Sequence, residues 1–230
     1  MGKVIMSGIV PTLTTPTVVS ANFADNTWSQ IIKARQTNKV PDTWAVSDQK
    51  TMTIGGTDYA IDIIGKNHDT YSTGGTAPLT FQMHNCYGTT YAMNSSNTNA
   101  GGWASCAMRT THLPAILALM PSEVQAGIRE VNKLTSAGSQ STTINTTADK
   151  LFLLSDVEVS AYSTTSLSVR GEGTQYAYYQ ASGNKNKGIN WWLRSPYKSN
   201  STAFCRKNTL GNTTYSTSNT EVGVSFAFCF

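Results

Sequence analysis

The C-terminal stretch, residues 190–230, constrains the fold of this chain more than any other feature. It begins with the apolar hexapeptide Trp-Trp-Leu-Arg-Ser-Pro at 191–196 and ends with the apolar segment 222–230. Aromatic and β-branched residues favour strands, so both segments are predicted strands. Between them, every position from 212 to 220 is Asn, Thr, Ser or Tyr. Tyr offers a large contact area at low entropic cost, while Ser and Asn offer adaptable hydrogen bonds. The stretch therefore predicts a rigid scaffold that presents an adaptable polar surface.

The low content of charged residues bears on where such a chain works. Only 13% of the 230 residues are charged, so the polar surface is mostly Ser, Thr, Asn and Gly. This composition favours an extracellular or virion surface protein over a cytosolic enzyme. The net charge of +4 is spread along the chain, without a basic run interleaved with aromatics, so we expect no nucleic-acid binding. We also expect no membrane insertion and no secretory signal, because the apolar runs are too short.

Residues 1–24 are predicted to form an extended arm outside the main core. Short apolar stretches alternate there with Pro11, Pro16 and a run of threonines. Such an arm serves for attachment or oligomerisation in an assembly. A frayed terminus is the alternative, and the residues alone do not separate the two.

Helical and strand-like patterns are mixed along residues 25–230, which predicts an α+β domain. A helix capped by Asp25 or Asn26 carries Trp28 and ends near Thr37. Further on, the patterns predict a hairpin at 51–64 with a Gly-Gly turn, a strand at 78–83, helices within 103–128, a strand at 129–135 whose apolar residues are Val131 and Leu134, a loop at 136–147, a strand at 151–154, a short helix capped by Ser155 and a helical turn at 172–180.

The four cysteines are Cys86, Cys106, Cys205 and Cys229, which are far apart and form no CxxC pair. We predict free, buried thiols, because nothing points to export into an oxidising compartment. A bridge between Cys205 and Cys229 is the one disulfide left open, since sequence cannot establish its geometry.

Metal binding and catalysis find little support in the residue pattern. His68, His84 and His112 lack the paired spacing of zinc ligands. Glu221 is the one carboxylate near several asparagines at the C-terminal end, too few ligands for calcium. No Ser or Cys nucleophile stands in a motif with a histidine and an orienting carboxylate. We therefore expect no metal, no cofactor and no enzymatic activity.

Several short motifs together resemble a domain family common in phages and prophages of gut bacteria. The resemblance covers about Asp25 to Phe230, and the hexapeptide 191–196, followed by an Asn-rich tract and a closing Gly-Val pair, is its most diagnostic part. The other motifs are Gly101-Gly102-Trp103, Met108-Arg109-Thr110, residues 131–135, residues 151–155 and residues 172–176.

That family is similar to the variable proteins of diversity-generating retroelements, which have a C-type-lectin-like fold. The resemblance implies a ligand-binding virion surface protein, made in the bacterial cytoplasm, whose C-terminal face is diversified by adenine-directed mutagenesis. Its partners would be a host cell-surface protein or glycan, and other virion proteins through the arm 1–24. Formation of a homo-oligomer is left open.

The resemblance also implies which residues bind the ligand, within a variable region of about 197–221. An Asn codon altered at its adenines can give Ser, Thr, Tyr, Phe or Arg, but not Lys or Glu. Lys198, Lys207 and Glu221 are thus scaffold residues or come from other codons. The implied ligand-binding residues are Tyr197, Asn200, Ser201, Phe204, Arg206, Asn208, Asn212, Thr214, Tyr215, Ser216, Ser218 and Asn219.

The hexapeptide itself is predicted to be scaffold. Trp191, Trp192 and Leu193 would stack on sugars if exposed, but their place in a strand favours core packing. Arg194 is predicted to hydrogen-bond loop carbonyls.

Two other functions stay open beside recognition. One is a virion structural protein without a host ligand, such as a head fibre or a capsid decoration protein. The other is an oxidase of the formylglycine-generating type, which shares the fold and uses a reactive cysteine pair. Cys205 and Cys229 would be that pair, but Cys229 lies in an alternating Phe strand, where a structural thiol is the simpler interpretation.

Overall fold

A computed structural model describes residues 19–180 and 184–230, which form an α+β domain. Most of the predicted arm, residues 1–18, lies outside the described residues. The helices are α1 (Trp28–Gln36), α2 (Gly102–Ser105), α3 (Leu113–Leu117), α4 (Ser122–Gly127), α5 (Asp156–Ser160) and α6 (Ala177–Gln180), with a 3₁₀ turn at Phe23–Asp25 and a π-helical turn at Met108–His112. None of the described helices is long and apolar enough to cross a bilayer.

The strands form three antiparallel sheets. They are β1 (Gln49–Ile54), β2 (Thr57–Gly65), β3 (Thr80–Met83), β4 (Val131–Ser136), β5 (Ile144–Asp149), β6 (Leu151–Phe152), β7 (Trp191–Pro196), β8 (Ala203–Lys207), β9 (Thr213–Thr217) and β10 (Ala227–Cys229). The main sheet has the order β1-β2-β3-β10-β6, while β4-β5 is a two-stranded hairpin and β7-β8-β9 is a meander. The predicted hairpin at 51–64 and the strands at 78–83 and 191–196 are confirmed.

Helix α1 begins later than its predicted cap. Thr27 is the N-cap, because its hydroxyl accepts a hydrogen bond from the backbone N–H of Gln30. In return, the side-chain oxygen of Gln30 accepts from the backbone N–H of Thr27. This reciprocal pair satisfies two amide groups that a helix end leaves free. Asn26 is instead buried, and its side-chain amide donates to the carbonyls of Ser20 and Asn22. The predicted caps Asp25 and Asn26 are therefore wrong, whereas the burial of Trp28 is confirmed.

The aromatic core begins before the predicted domain boundary at Asp25. The Phe23 ring is 1% exposed and its centroid lies 5.4 Å from that of Trp44 and 6.0 Å from that of Phe81. From the C-terminal end, Phe228 stacks on Phe81 at 5.2 Å. Residue 23 therefore belongs to the domain rather than to an arm outside it.

The predicted loop 136–147 is wrong, because β5 occupies its last four residues and pairs with β4. Only Thr147 and Asp149 of β5 are buried, so the strand carries no apolar alternation in the sequence. In β4, Val131 is buried but Leu134 is 39% exposed. Residues three apart on a strand face opposite sides, and Lys133 takes the buried position instead.

The C-terminal stretch contains four strands, β7 to β10, rather than two strands around a loop. Polar residues 213–217 form β9, which pairs with β8. Of the predicted strand 222–230, only Ala227–Cys229 forms β10, while Val222 and Gly223 make isolated bridges to Tyr91 and Trp191.

Candidate functional site

The support of the β7-β8-β9 sheet is a buried ionic network centred on Arg194 in β7. Its guanidinium donates to the carbonyls of Leu134, Leu153 and Glu172, as the prediction of a scaffold arginine requires. It also donates to the carboxylate of Glu158 in α5, with Nη2 to Oε1 at 2.9 Å. These bonds fix β7 against the chain segments beneath it.

Lys133 extends this network to the main sheet. Its ammonium lies 2.7 Å from the carboxylates of both Asp69 and Glu158. Burial alone would raise the pKa of Asp69, but the charge of Lys133 and its hydrogen bond hold that pKa at about 2. Burial would likewise raise the pKa of Glu158, but Arg194 and Lys133 hold it below its usual value. Two cations thus alternate with two anions in the interior, which offsets the desolvation of each.

Trp191 and Trp192 are fully buried, which confirms core packing over a sugar-stacking platform. The indole N–H of Trp191 donates to the Lys185 carbonyl at 3.0 Å, and that of Trp192 donates to the Tyr91 carbonyl at 2.8 Å. The hexapeptide therefore forms a buried strand, and the exposed residues of this sheet lie in β8, β9 and their turns.

The register of the β8-β9 hairpin distributes the implied ligand-binding residues over both of its sides. Cys205 pairs with Tyr215, and its neighbour Arg206 pairs with Thr214. Successive residues of a strand point to opposite sides, so Tyr215 cannot share a face with Thr214. Among the twelve implied residues, Asn212, Tyr215 and Asn219 are exposed; Tyr197, Asn200, Ser201, Arg206, Asn208, Thr214 and Ser216 are half-buried; Phe204 and Ser218 are buried.

The structure brings together Tyr197 and Tyr215. Their rings are stacked with centroids 4.4 Å apart and planes at 17°, and the Tyr215 side of the pair is 48% exposed. The Arg206 Nε donates to the Tyr215 carbonyl at 3.3 Å. An aromatic pair of this kind adds stabilisation beyond the area it buries, so the exposed ring is held in one orientation.

Phe204 and Ser218 are not available to a ligand, which corrects their assignment. Phe204 has no exposed surface, because it lies opposite Pro196 in the sheet and packs into the core. The Ser218 hydroxyl donates to the Thr202 carbonyl at 2.7 Å. Compatibility of a codon with mutagenesis carries no information on burial, so these two positions could not be told apart from the exposed ones.

Asn200 and Asn208 hold turns. The Asn200 Oδ1 accepts from the backbone N–H and the hydroxyl of Thr202, and the Asn208 Oδ1 accepts from the N–H groups of Leu210 and Asn212. Such bonds from an Asn side chain to the chain that follows replace a backbone turn bond. These two residues shape the hairpin ends, and this occupies their acceptor oxygens.

Lys207 is a buried scaffold residue, which is one of the two interpretations that the sequence left open for it, the other being a different codon. Its ammonium donates to the hydroxyls of Ser160 and Thr213 and lies 3.6 Å from the Asp156 carboxylate. Burial lowers the pKa of Lys207 to about 8. Glu221, in contrast, is exposed and accepts from the Thr90 hydroxyl at 3.2 Å.

Two cavities border the β7-β8-β9 sheet or its turns, and the sequence predicted neither. One, of about 320 Å³, lies between Thr213 and the segment 160–167. The other, of about 410 Å³, is lined by Tyr162, Arg170 and Lys198 among others. Their residues come from separate parts of the chain, so no local pattern signals them.

All four cysteines are free, which excludes the Cys205–Cys229 bridge in this structure. Cys205 lies in β8 and Cys229 in β10, in different sheets. Cys106 is buried with them, as predicted, whereas Cys86 is half-buried. Burial raises the pKa of both the Cys205 and the Cys229 thiol well above the usual value, which disfavours the reactive thiolate.

Within residues 19–180 and 184–230, no group of three His, Cys, Asp or Glu side chains could hold a metal ion. The three histidines are dispersed. His84 lies 2.8 Å from the Asp62 carboxylate, His68 stacks on Tyr176, and His112 stacks on Tyr91.

Residues 79–230 match the model of a family described as a domain of unknown function, DUF6273, and the chain belongs to that family. The match runs from β3 to the last residue and so includes both the buried hexapeptide and the hairpin. No curated protein and no solved structure matches the chain.

Proposed function

We propose that this member of the DUF6273 family is a recognition protein, which binds its ligand through exposed side chains of the β8-β9 hairpin and of the turns around it. The observation that carries the proposal is the exposed Tyr215 ring, stacked on Tyr197. A large amphipathic ring held in place loses little conformational entropy on binding. Tyrosine is also among the residues enriched at the energetic centres of interfaces.

The polar residues around this ring supply hydrogen bonds. We define the exposed hairpin surface as the implied ligand-binding residues, on both sides of the hairpin, that are neither buried nor committed to turns. Asn212 and Asn219 are its exposed amides, and Arg206 adds a positive charge. The full set is Tyr197, Ser201, Arg206, Asn212, Thr214, Tyr215, Ser216 and Asn219.

Diversification of this surface is part of the proposal, and so is the C-type-lectin-like scaffold. Diversification and the C-type-lectin-like scaffold both rest on the resemblance of the sequence motifs. Diversification is also supported by the hairpin itself, in which some side chains are buried and others are exposed. Lys207 and Phe204 are locked into the interior, while the neighbouring Thr214, Tyr215 and Ser216 can change without leaving a buried group unpaired. A surface can vary over such a frame without loss of the fold.

The partner is proposed to be a host cell-surface protein or glycan, and the place of action the virion surface. The part of the predicted arm that precedes Phe23 would attach the domain to other virion proteins. The composition supports this assignment, since a surface of Ser, Thr and Asn with few charges suits an exposed position outside the cell.

A binding experiment tests recognition directly. Binding of the purified wild-type protein to intact cells of the host bacterium is compared with that of two variants. They are Tyr215→Ala and the control Leu119→Ala, which also truncates an exposed large side chain but lies outside the C-terminal stretch 190–230. We expect Tyr215→Ala to weaken binding by about tenfold or more, with Leu119→Ala unchanged. Equal binding by both variants would remove the hairpin from the site, and absence of any binding would favour the virion structural protein.

Sequencing tests diversification separately. Copies of the gene from one population are compared codon by codon. We expect substitutions to concentrate on the exposed hairpin surface and to spare Phe204, Lys207 and Ser218. Substitutions scattered evenly along the chain would leave a fixed protein.

A further inference from the structure

We infer that the 410 Å³ cavity at the turn between β7 and β8 is a binding site for an acidic saccharide, separate from the exposed hairpin surface. The cavity lies between the turn that contains Gln140, the segment 162–170 and residues 198–199. Its volume falls within the range of small-molecule sites in proteins, about 300–1,000 Å³. It is therefore large enough for one or two sugar residues.

The charge of the cavity selects an anion. Arg170 and Lys198 are its two charged lining residues, and both are positive. In the described part of the chain neither forms an ion pair, whereas Arg109, Lys133 and Arg194 all do. Unneutralised cations on a concave wall focus the electrostatic potential and attract a negatively charged group.

The remaining lining residues favour a saccharide as the carrier of that charge. Hydroxyls and amides from Gln140, Thr142 and Ser199 match the hydroxyls of a sugar ring. Tyr162 is 38% exposed, and the guanidinium of Arg170 lies 5.8 Å from the centroid of its ring. The ring offers an apolar face to stack on a pyranose. Six of the eight lining residues are polar or charged, so a lipid chain would find apolar partners only in Tyr162 and Val169.

Hydrogen bonds hold the walls in place. The Lys198 N–H donates to the Leu167 carbonyl at 2.9 Å, which ties residue 198 to the segment 162–170. Within that segment the Ser163 N–H donates to the Ser166 hydroxyl, and the Ser168 hydroxyl donates to the Asp156 carboxylate. A site whose walls are fixed before binding loses less entropy when it is filled.

Calorimetric titration of the purified chain tests the proposal. The probes are a galacturonic acid oligomer, a sulfated galactose oligomer, the neutral galactose oligomer, and inorganic sulfate and phosphate. We expect an acidic saccharide to bind with an affinity that falls as salt is added, and the neutral oligomer to bind at least tenfold more weakly. The carboxylated and sulfated probes decide which anionic group the site prefers.

Variants assign the binding to this cavity. We expect Arg170→Gln and Lys198→Gln each to weaken the acidic probe by about tenfold, while Lys39→Gln, which removes an exposed charge elsewhere, has no effect. Arg170 is exposed, so its variant is expected to keep the melting temperature of the wild type. Equal losses in all three variants, binding of simple anions as tight as that of the oligomers, or absence of binding to every probe would overturn the proposal.

The same titration separates this site from the exposed hairpin surface. We expect Tyr215→Ala to bind the acidic probe as the wild type does. The proposal that Tyr215 recognises host cells can therefore be disproved without affecting the proposal of the acidic-saccharide site. Likewise, the Arg170→Gln variant tests the acidic-saccharide site without testing recognition through Tyr215.

Discussion

The Nη2 of Arg194 lies 2.9 Å from the Oε1 of Glu158, and both side chains are buried. The pair joins strand β7, which supports the hairpin, to helix α5 at the edge of the 320 Å³ cavity. A buried charge is stable only while its partner is present, because desolvation of a lone ion costs several kcal/mol. The hairpin therefore depends on an ionic bond that a ligand cannot reach.

We predict that Arg194→Met lowers the free energy of unfolding by about 3–5 kcal/mol. The change leaves Glu158 with Lys133 as its only cation and removes the donors to three carbonyls. Urea unfolding measures the loss. Arg206→Met is the matched control, since Arg206 is half-buried and its Nε donates to one carbonyl, that of Tyr215. Equal midpoints for the two variants would contradict the structural role of Arg194.

Glu172 makes the stability depend on pH. Burial raises the pKa of this carboxyl from its usual 4.5 to about 7. Between those values the folded state holds a proton that the unfolded state releases, so the free energy of unfolding falls as the pH rises from about 4.5 to 7. This difference between the folded and unfolded pKa of Glu172 corresponds to about 3 kcal/mol in the free energy of unfolding.

We predict that Glu172→Gln removes most of this fall. The Oε1 atom accepts from the Ser136 N–H at 2.8 Å, and an amide oxygen can replace it there. The measurement is urea unfolding of both proteins at pH 5 and pH 8. The difference between the variant and the wild type is the decisive quantity, because other groups titrate equally in both. Parallel pH profiles would show that Glu172 titrates at its usual value.

The elements that the sequence predicted well are those with a local apolar pattern. Helix α1 and the β1-β2 hairpin follow from the spacing of apolar residues and a Gly-Gly turn. Strands β5 and β9 were missed because they lie at sheet edges and bury few apolar side chains. In such a strand the pairing with a neighbouring strand determines the structure, and this pairing cannot be recognised from the residues of the strand alone.

Buried charges and cavities were beyond local reasoning for a related reason. Lys133 is stabilised by Asp69, 64 residues earlier in the chain, so nothing near Lys133 predicts its burial. The cavity between Arg170 and Lys198 likewise forms only when separate segments meet. The exposed Tyr215 was accessible to prediction, because its polar surroundings already indicated a surface position.

Neighbouring positions of the hairpin should differ sharply in their tolerance of substitution. We predict that Phe204→Ala lowers the free energy of unfolding by about 3–5 kcal/mol, because it opens a cavity in the core. Tyr215→Ala should change it by less than about 1 kcal/mol, since this ring is half exposed. Thermal unfolding of both variants makes the comparison. Similar losses would mean that Tyr215 supports the fold, and its role as a variable contact residue would then be untenable.

Ala161 has a backbone conformation that only glycine adopts readily. Its φ of 58° and ψ of 163° cost about 1–3 kcal/mol for a residue with a side chain. Glycine relieves this strain but adds about 0.4–1 kcal/mol of entropy to the unfolded chain. We therefore predict that Ala161→Gly raises the free energy of unfolding by about 1 kcal/mol. Ala118→Gly is the control, because Ala118 has a right-handed φ of −64° and should lose stability.

The strained residue also has a functional consequence, because Ala161 directly precedes Tyr162 on the wall of the acidic-saccharide site. The strain persists only because the surrounding bonds hold the segment, and this fixes the direction in which the Tyr162 side chain leaves the backbone. We expect Ala161→Gly to bind the acidic probe more weakly than the wild type, despite its higher stability, while Ala118→Gly binds it unchanged. A gain in stability without any loss of affinity would show that the strain does not position Tyr162, and a loss of stability would show that the surroundings of residue 161 accept the alanine without strain.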